Sequence, residues 1–306
     1  MHYLVTGGCG FIGSHICEAL VEQGEKVRIL DDLSSGYEDN IAGFSDQVEF
    51  IKGDIRDSRA VTSAMDGVDG VFHLAGLVSA FDSVERPHAC HQVNLTGTLN
   101  ILTAARDAGA KRVVFASSCA VYGNNPETPK KETMPHMPES PYAVSKAGCE
   151  LYMRVFANLY NLQTVCLRFF NVFGPRQDPS SEYSGVISRF VNDTAQGHAC
   201  VYGDGMQSRD FIFVRDVVQA NLLAMISPKV GAGEAINVGT GMEISLLDLL
   251  DYIRDIGDRG FEVLYKDSRP GDVRHSRGDI SMARELLGFE PAYTIRNGLA
   301  ELLYHG

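Results

Sequence analysis

A tyrosine and a lysine four residues apart, Tyr142 and Lys146, follow the serine pair Ser117-Ser118 by about two dozen residues. On a helix that spacing puts the two side chains on one face. Ser140-Pro141, immediately ahead, offers an N-cap and a proline suited to the first helical position. Tyr142 therefore falls in the first turn, where the helix dipole favours an anion. A free tyrosine titrates near ~10, and lowering that by about three units takes roughly 4 kcal/mol of differential stabilisation. A neighbouring ammonium and the dipole supply part of it, which makes the pair a candidate base near neutral pH. The spacing alone is common, and a solvated helix face also shows it.

The start of the chain suggests what such a base would work beside. Tyr3-Leu4-Val5-Thr6 reads as a strand, Gly7-Gly8-Cys9-Gly10-Phe11-Ile12-Gly13 as a turn, and Ser14 to Gln23 as an amphipathic helix closed by Gly24. Gly7 suits a positive-φ turn, Gly10 lets backbone approach a pyrophosphate, and Gly13 lets helix pack on strand, with the helix N-terminus facing the phosphates. The spacing is G-x-x-G-x-x-G, and glycines alone also fit a plain tight turn. A second strand, Val27 to Leu30, ends at Asp31-Asp32. An acidic residue there hydrogen-bonds the ribose hydroxyls and repels a 2′-phosphate, so NAD is expected over NADP. A third strand, Val48 to Ile51, leads to Asp54-Ile55, which suits an adenine contact, or a helix cap in the case of Asp54.

A fourth strand enters a small-residue turn at Leu74-Ala75, which allows close approach of a ligand or plain packing. The helical stretch from about Pro87 to Ala108 carries Asn94, either a polar helix-face residue or a cofactor contact. A fifth strand, Arg112 to Ala116, delivers Ser117-Ser118 to the carboxyl edge of the sheet, where open α/β sheets bind ligands. A cationic nicotinamide at that edge would add to the stabilisation of a Tyr142 phenolate. The expected architecture is α/β: a doubly wound parallel sheet of the Rossmann type with a smaller C-terminal α/β substrate domain.

Residues from Asn124 to Pro141 are rich in proline and polar side chains and read as a long surface loop. A sixth strand spans Thr164 to Asn171, after which the alternation of strand and helix weakens. The domain change is therefore expected between residues 170 and 171, with a return to the first domain over about 210–240 and the second domain running over 171–306. Arg209 and Arg269 are candidate phosphate clamps on loops, or simply solvated arginines.

A net charge of −12 argues against general binding to nucleic acid or anionic membranes. No apolar run is long enough to span a membrane, and the first strand begins too early to leave room for a signal peptide. The seven cysteines are scattered with no C-x-x-C pair, so reduced thiols in a cytoplasmic protein are expected, and no metal site.

T-G-G-x-G-F-I-G at Thr6 to Gly13, S-S-x-x-V-Y-G at Ser117 to Gly123 and S-P-Y-x-x-S-K at Ser140 to Lys146 resemble the extended short-chain dehydrogenase/reductase family. More narrowly, R-F-F-N-V-F-G-P-R-Q-D-P from Arg168, G-D-G-x-x-S-R-D-F from Gly203 and R-P-G-D-V-R-H-S from Arg269 resemble the NAD-dependent UDP-sugar 4-epimerases. Among these, the Q-D-P and V-R-H-S forms look most like the UDP-N-acetylglucosamine 4-epimerases. The resemblance implies Tyr142, Lys146 and Ser118 as the proton-transfer group. It implies NAD contacts along Gly7 to Gly13, at Asp31 or Asp32, Asp54, Ile55, Leu74, Ala75, Asn94 and Ser117, and from Tyr142 and Lys146. It implies that Asn171, Arg209, Arg269 and Asp272 hold UDP, with Val201-Tyr202 near uracil. Ser276 would stand beside the sugar's C2 substituent, where a serine leaves room for an acetamido group and a tyrosine would not. Ser79 and Gln177 are further candidates for that pocket. Homodimers built through the stretches 87–108 and 142–160 are common in the family. Val78, Cys119, Phe169 and Phe211 depart from residues common among its members. Other chemistry on the same scaffold, such as a UDP-glucuronate epimerase or decarboxylase or a nucleotide-sugar reductase, and a non-catalytic NAD-sensing protein are the alternatives.

Overall fold

The computed structural model describes residues 1–178, 185–258, 260–267 and 274–305. In chain order the strands are β1 (His2–Thr6), β2 (Lys26–Asp31), β3 (Val48–Lys52), β4 (Gly70–His73), β5 (Arg112–Ser118), β6 (Gln163–Phe169), β7 (Asn171–Phe173), β8 (His198–Tyr202), β9 (Ser208–Arg209), β10 (Phe211–Phe213), β11 (Ala232–Val238), β12 (Ile244–Ser245), β13 (Glu262–Lys266) and β14 (His275–Ser276). The α-helices are α1 (Phe11–Glu22), α2 (Ser58–Ala64), α3 (Ala80–Glu85), α4 (Pro87–Cys90), α5 (Gly97–Ala108), α6 (Pro141–Tyr160), α7 (Val186–Ala195), α8 (Val214–Ile226), α9 (Leu246–Gly257), α10 (Ser281–Leu287) and α11 (Ile295–His305).

Seven strands form a parallel sheet in the order β11-β6-β5-β4-β1-β2-β3. The order reverses between β1 and β4, the switch point at which such sheets bind ligands. Each central strand is buried on both faces. Leu4, Leu30, Val71, Val113 and Cys166 point into the core beneath α2, α5 and α6. Their neighbours Val5, Ile29, Phe72, Val114 and Val165 point into the core beneath α1 and α8. This is why the strands read as continuous apolar runs. A third core gathers Phe173, Phe190, Val201, Phe213, Leu249 and Ile253 around α7, α9 and α11. Three small sheets, β10-β7, β12-β9-β14 and β13-β8, belong to this second region. The chain returns from it through α8, which packs on α1, and β11, which pairs in parallel with β6.

Three local readings change. The helix after the glycine turn starts at Phe11, with Gly10 as its N-cap, because the turn feeds directly into helical backbone. The stretch 87–108 is not one α-helix: α4 and α5 are joined by a π-helical turn, His91–Thr96, which carries Asn94. The segment 124–140 is not simply a surface loop. Asn125 and Lys130 are buried, the Lys130 N–H donates to the Arg277 carbonyl at 2.7 Å, and the Asp279 N–H donates to the Lys130 carbonyl at 2.8 Å. No helix among the described residues is long and apolar enough to cross a membrane.

Candidate active site

The glycine turn is built to keep side chains out. Gly7 has φ +71°, and a Cβ there would lie 2.8 Å from the Ala75 nitrogen. A Cβ on Gly13 would lie 2.1 Å from the Gly7 carbonyl oxygen. No side chain caps the N-terminus of α1. Its free N–H groups and positive dipole end suit a phosphate. Asp31 braces the turn: its carboxylate accepts from the Cys9 N–H at 2.9 Å and the Leu33 N–H at 2.8 Å. Burial raises its pKa against those two bonds. Asp32 is exposed and accepts from the Ser34 N–H. Leu74 and Ala75 sit across from Thr6, whose carbonyl and hydroxyl accept their N–H groups. Beneath them His73 is fully buried between the hydroxyls of Thr6 and Thr98, and burial pushes its pKa down to about 3. A neutral imidazole at that position props the turn, a role the sequence does not announce.

Other residues in this half have structural partners. Asp54 accepts from the Arg56 backbone and guanidinium. The Ile55 side chain packs into the core against Gly97, and its carbonyl accepts from Asn100. Asn94 is buried; its Oδ1 accepts from the Leu77 N–H at 2.8 Å, and its Nδ2 donates to the Leu77 carbonyl and to Ser145 Oγ. It thereby pins the loop after β4 to α6.

Tyr142 and Lys146 share the inward face of α6. Lys146 is buried and donates to the Ala116 carbonyl at 2.6 Å, with its Nζ 5.7 Å from the centre of the Tyr142 ring. Burial lowers its pKa. Tyr142 is half-buried, and the Ser118 hydroxyl works to lower its pKa. Burial wins, and the phenol is pushed up to about 12. The protein's own groups therefore keep Tyr142 protonated, and the lowering expected from lysine, dipole and a cationic nicotinamide together turns on the last of them.

The two serines of β5 part company, as alternation along a strand requires. Ser118 faces Tyr142. Ser117 Oγ instead donates to Glu150 Oε1 at 2.6 Å, one turn beyond Lys146 on α6, so its hydroxyl is taken up by a buried ion pair. There Arg168 grips Glu150 with two bonds of 2.9 and 2.7 Å, His136 lies 3.1 Å from the same carboxylate, and Tyr122 accepts from Arg168. Burial opposes the Glu150 charge, but the Arg168 and His136 hydrogen bonds prevail and hold it at about 2.

The second region meets this edge through β9 and β14. Arg209, on a strand and not a loop, stands beside Ser276 in the β9–β14 register. Burial pushes the Cys119 thiol up to about 11, with the Ser276 hydroxyl and the Arg209 charge working the other way. Tyr142, Ser118, Cys119, Ser276 and Arg209 thus come near one another where the two regions meet. Between Arg209 and Phe211 the carboxylate of Asp210 is fully buried. It accepts from the Thr240 N–H and hydroxyl, the Gly241 N–H and the Gly278 N–H, at 2.7 to 3.1 Å. Asn171 is held through its N–H by the Asp210 carbonyl. Val201 is buried in the third core, while Tyr202 is half-buried with Lys266 over its ring. Gln177 bonds the Val172 carbonyl and Ser188, and Ser79 caps α3 through the Asp82 N–H. Arg269 and Asp272 lie outside the described residues. No group of three or more His, Cys, Asp or Glu suited to a metal occurs among the described residues.

The model of the NAD dependent epimerase/dehydratase family matches residues 3–239. A UDP-glucose 4-epimerase of Mycolicibacterium smegmatis is 40% identical over 306 residues, covering 98% of this chain and 97% of the relative. A solved UDP-N-acetylglucosamine 4-epimerase of Methanobrevibacter ruminantium, in complex with UDP-N-acetylmuramic acid, superimposes with a TM-score of 0.94. It is 41% identical over 99% of this chain and 96% of its own. The UDP-glucose 4-epimerase of Thermus thermophilus in complex with NAD gives a TM-score of 0.90 and 37% identity over 100% of this chain and 98% of its own.

Proposed function

The chain belongs to the NAD dependent epimerase/dehydratase family, and from that membership we propose that it is a UDP-hexose 4-epimerase that prefers UDP-GlcNAc and UDP-GalNAc. The observation that carries the reading is the Tyr142 ring one helical turn from buried Lys146, its centre 5.7 Å from the ammonium, with Ser118 acting on the phenol and Arg209 and Ser276 side by side on β9 and β14. The side-chain-free turn at Gly7, Gly10 and Gly13 fits a dinucleotide pyrophosphate. Bound NAD supplies reversible hydride acceptance at the sugar C4. Tyr142, as phenolate, takes the O4 proton directly or through Ser118 and returns it after the 4-keto sugar has turned its other face. Lys146 favours the phenolate electrostatically and, fixed by the Ala116 carbonyl, orients the ribose. Asn171, Arg209, Arg269 and Asp272 would keep UDP anchored during that turn, with Val201-Tyr202 beside the uracil. Since Val201 is buried, its share of that contact would come from its backbone. Residues 1–170 with about 210–240 would form the NAD half, and the remainder of 171–306 the sugar half.

The preference for an N-acetylated sugar rests on Ser276, a small side chain near Cys119 where a tyrosine would take the room that an acetamido group needs. The purified protein, given UDP-GlcNAc, UDP-Glc and UDP-GlcA in turn, should interconvert UDP-GlcNAc with UDP-GalNAc fastest, followed by the anomeric proton signals. No such interconversion refutes the preferred substrate, and no interconversion of any of the three refutes the epimerase reading. NAD should stay bound through turnover; stoichiometric release of NADH counts against the mechanism.

We also propose a homodimer in the cytoplasm, a setting that fits seven free cysteines. Val144, Leu151, Val155 and Leu159 form an exposed apolar stripe along α6. It continues into a cavity of about 470 Å³ lined in part by Pro87, His91 and Leu95. Such a stripe calls for a partner surface, and a monomer by light scattering would exclude it.

A further inference from the structure

The first turn of α6 has three positions whose N–H groups no helical carbonyl can reach. Pro141 has no N–H, and the Ala143 N–H is capped by Ser140 Oγ at 3.2 Å. The remaining donor, the Tyr142 N–H, reaches out of the helix to Ser83 Oγ at 3.0 Å. Ser83 sits in α3, 59 residues upstream, and is fully buried. Its hydroxyl in turn donates to the Ala80 carbonyl. On the other side of the same residue, the Tyr142 carbonyl accepts from Ser145 Oγ at 2.7 Å, and Ser145 Oγ accepts from Asn94 Nδ2 at 2.8 Å. Side chains from three elements therefore hold the two peptide groups that flank the phenol.

Of these, Ser83 has the least alternative employment. It is the buried residue of α3, whose apolar side chains Phe81 and Val84 are 56% and 62% exposed, so the helix docks with little hydrophobic surface turned inward. Removal of the Ser83 hydroxyl takes away the acceptor that ties the half-buried Tyr142 N–H to α3, so the turn is no longer fixed at that point. We infer that Ser83 is a positioning residue for the reaction: the docking of α3 onto the N-terminus of α6 sets where the Tyr142 phenol stands relative to Ser118 and the sugar. The inference rests on the reading of Tyr142 as the base.

The test is Ser83→Ala in the full-length protein, read by amide hydrogen exchange at Tyr142 and by steady-state kinetics with UDP-GlcNAc and UDP-Glc. Exchange at the Tyr142 N–H should accelerate, and kcat should fall by about 10- to 100-fold, the scale of a small misplacement of a reacting group. KM should stay within about twofold, because no contact to UDP is lost. Unchanged exchange at Tyr142 overturns the hydrogen bond. Faster exchange with kcat within about twofold of the native value, or a rise in KM that matches the loss in kcat, overturns the positioning role. Ser83→Cys, close in volume but a weak acceptor, gives the same readings if the alanine variant does not fold. Tyr142→Phe separates this from the broader reading. If that variant stays active, the base assignment fails whatever Ser83→Ala does; if it is inactive while Ser83→Ala is unimpaired, only the positioning role fails.

Discussion

The glycine turn and the β9–β14 strand pair carry the two halves of the proposed site, but they are held in place differently. The turn runs from residue 7 to residue 13 and is shaped from within, by residues that must lack a Cβ. Its braces, Asp31 and His73, come from the next strands of the same sheet. The strand pair joins two residues near 208 to two near 275, and Asp210 fastens both to the loop at 240–241 and to Gly278. One site is a local motif resting on a large sheet. The other is an assembly of distant short pieces around a single buried carboxylate. On the proposed reading, chemistry common to every substrate would sit beside the first, and the residues that would tell one sugar from another are built on the second.

If that division is right, damage on the sheet side is felt equally by every sugar, and damage on the strand-pair side is felt selectively. Tyr142→Phe is the severest case: kcat should fall by about 10³-fold on every accepted UDP-sugar, the scale of a lost general base. A loss confined to one sugar breaks the division. Glu150→Gln should cost roughly 3 kcal/mol, because it leaves Arg168 buried without its counter-charge. Its acid dependence follows from sign. The Glu150 carboxylate is held at about 2, below its ordinary 4.5, so its stabilisation is complete above about 4.5 and fades as pH falls towards 2. Chemical denaturation of the glutamine variant across that window should show a flatter pH dependence than the native protein, with the ratio of activities on two sugars unchanged.

Lys146→Met should move the rising limb of the pH–rate profile upwards by about one unit, since an ammonium favours the phenolate. A shift to lower pH contradicts the role of the lysine. Ser276→Tyr is the gentlest change in overall rate and the most selective. It should lower kcat/KM for UDP-GlcNAc about 10-fold more than for UDP-Glc. Equal losses on both sugars would place the discriminating contact elsewhere.

The same division explains what could be read from the chain alone. The strands from Tyr3 to Phe169 were visible because burial on both faces leaves unbroken apolar runs, and Tyr142 was visible because Ser140-Pro141 marks its turn. NAD and the epimerase family followed from motifs whose parts are adjacent in sequence. Contacts between residues far apart in the chain were not visible. Ser83 reaching Tyr142, His73 wedged between two threonines and Arg168 gripping Glu150 each depend on a neighbour that only folding supplies. The segment 124–140 is the loop that proline and polar residues signal, and most of it is exposed, but its sequence does not show that Lys130 is buried where the chain near residue 278 comes back to meet it. Ser117 was paired with Ser118 as a site residue, and the pleat of β5 turned it towards Glu150.

The return of the chain through β11 has a consequence for how the protein is made. On the ribosome, β6 emerges sixth of the seven strands of its sheet, and its outer edge stays unpaired until residues 232–238 have been synthesised. An uncovered parallel edge is a template for mispairing. The core beneath α1 also waits, for Ile212 and Val217 and finally for Ala283, Leu287 and Phe289. A chain stopped near residue 170 would therefore carry every glycine of the turn and both members of the tyrosine–lysine pair, and still lack the parts needed to close its own sheet.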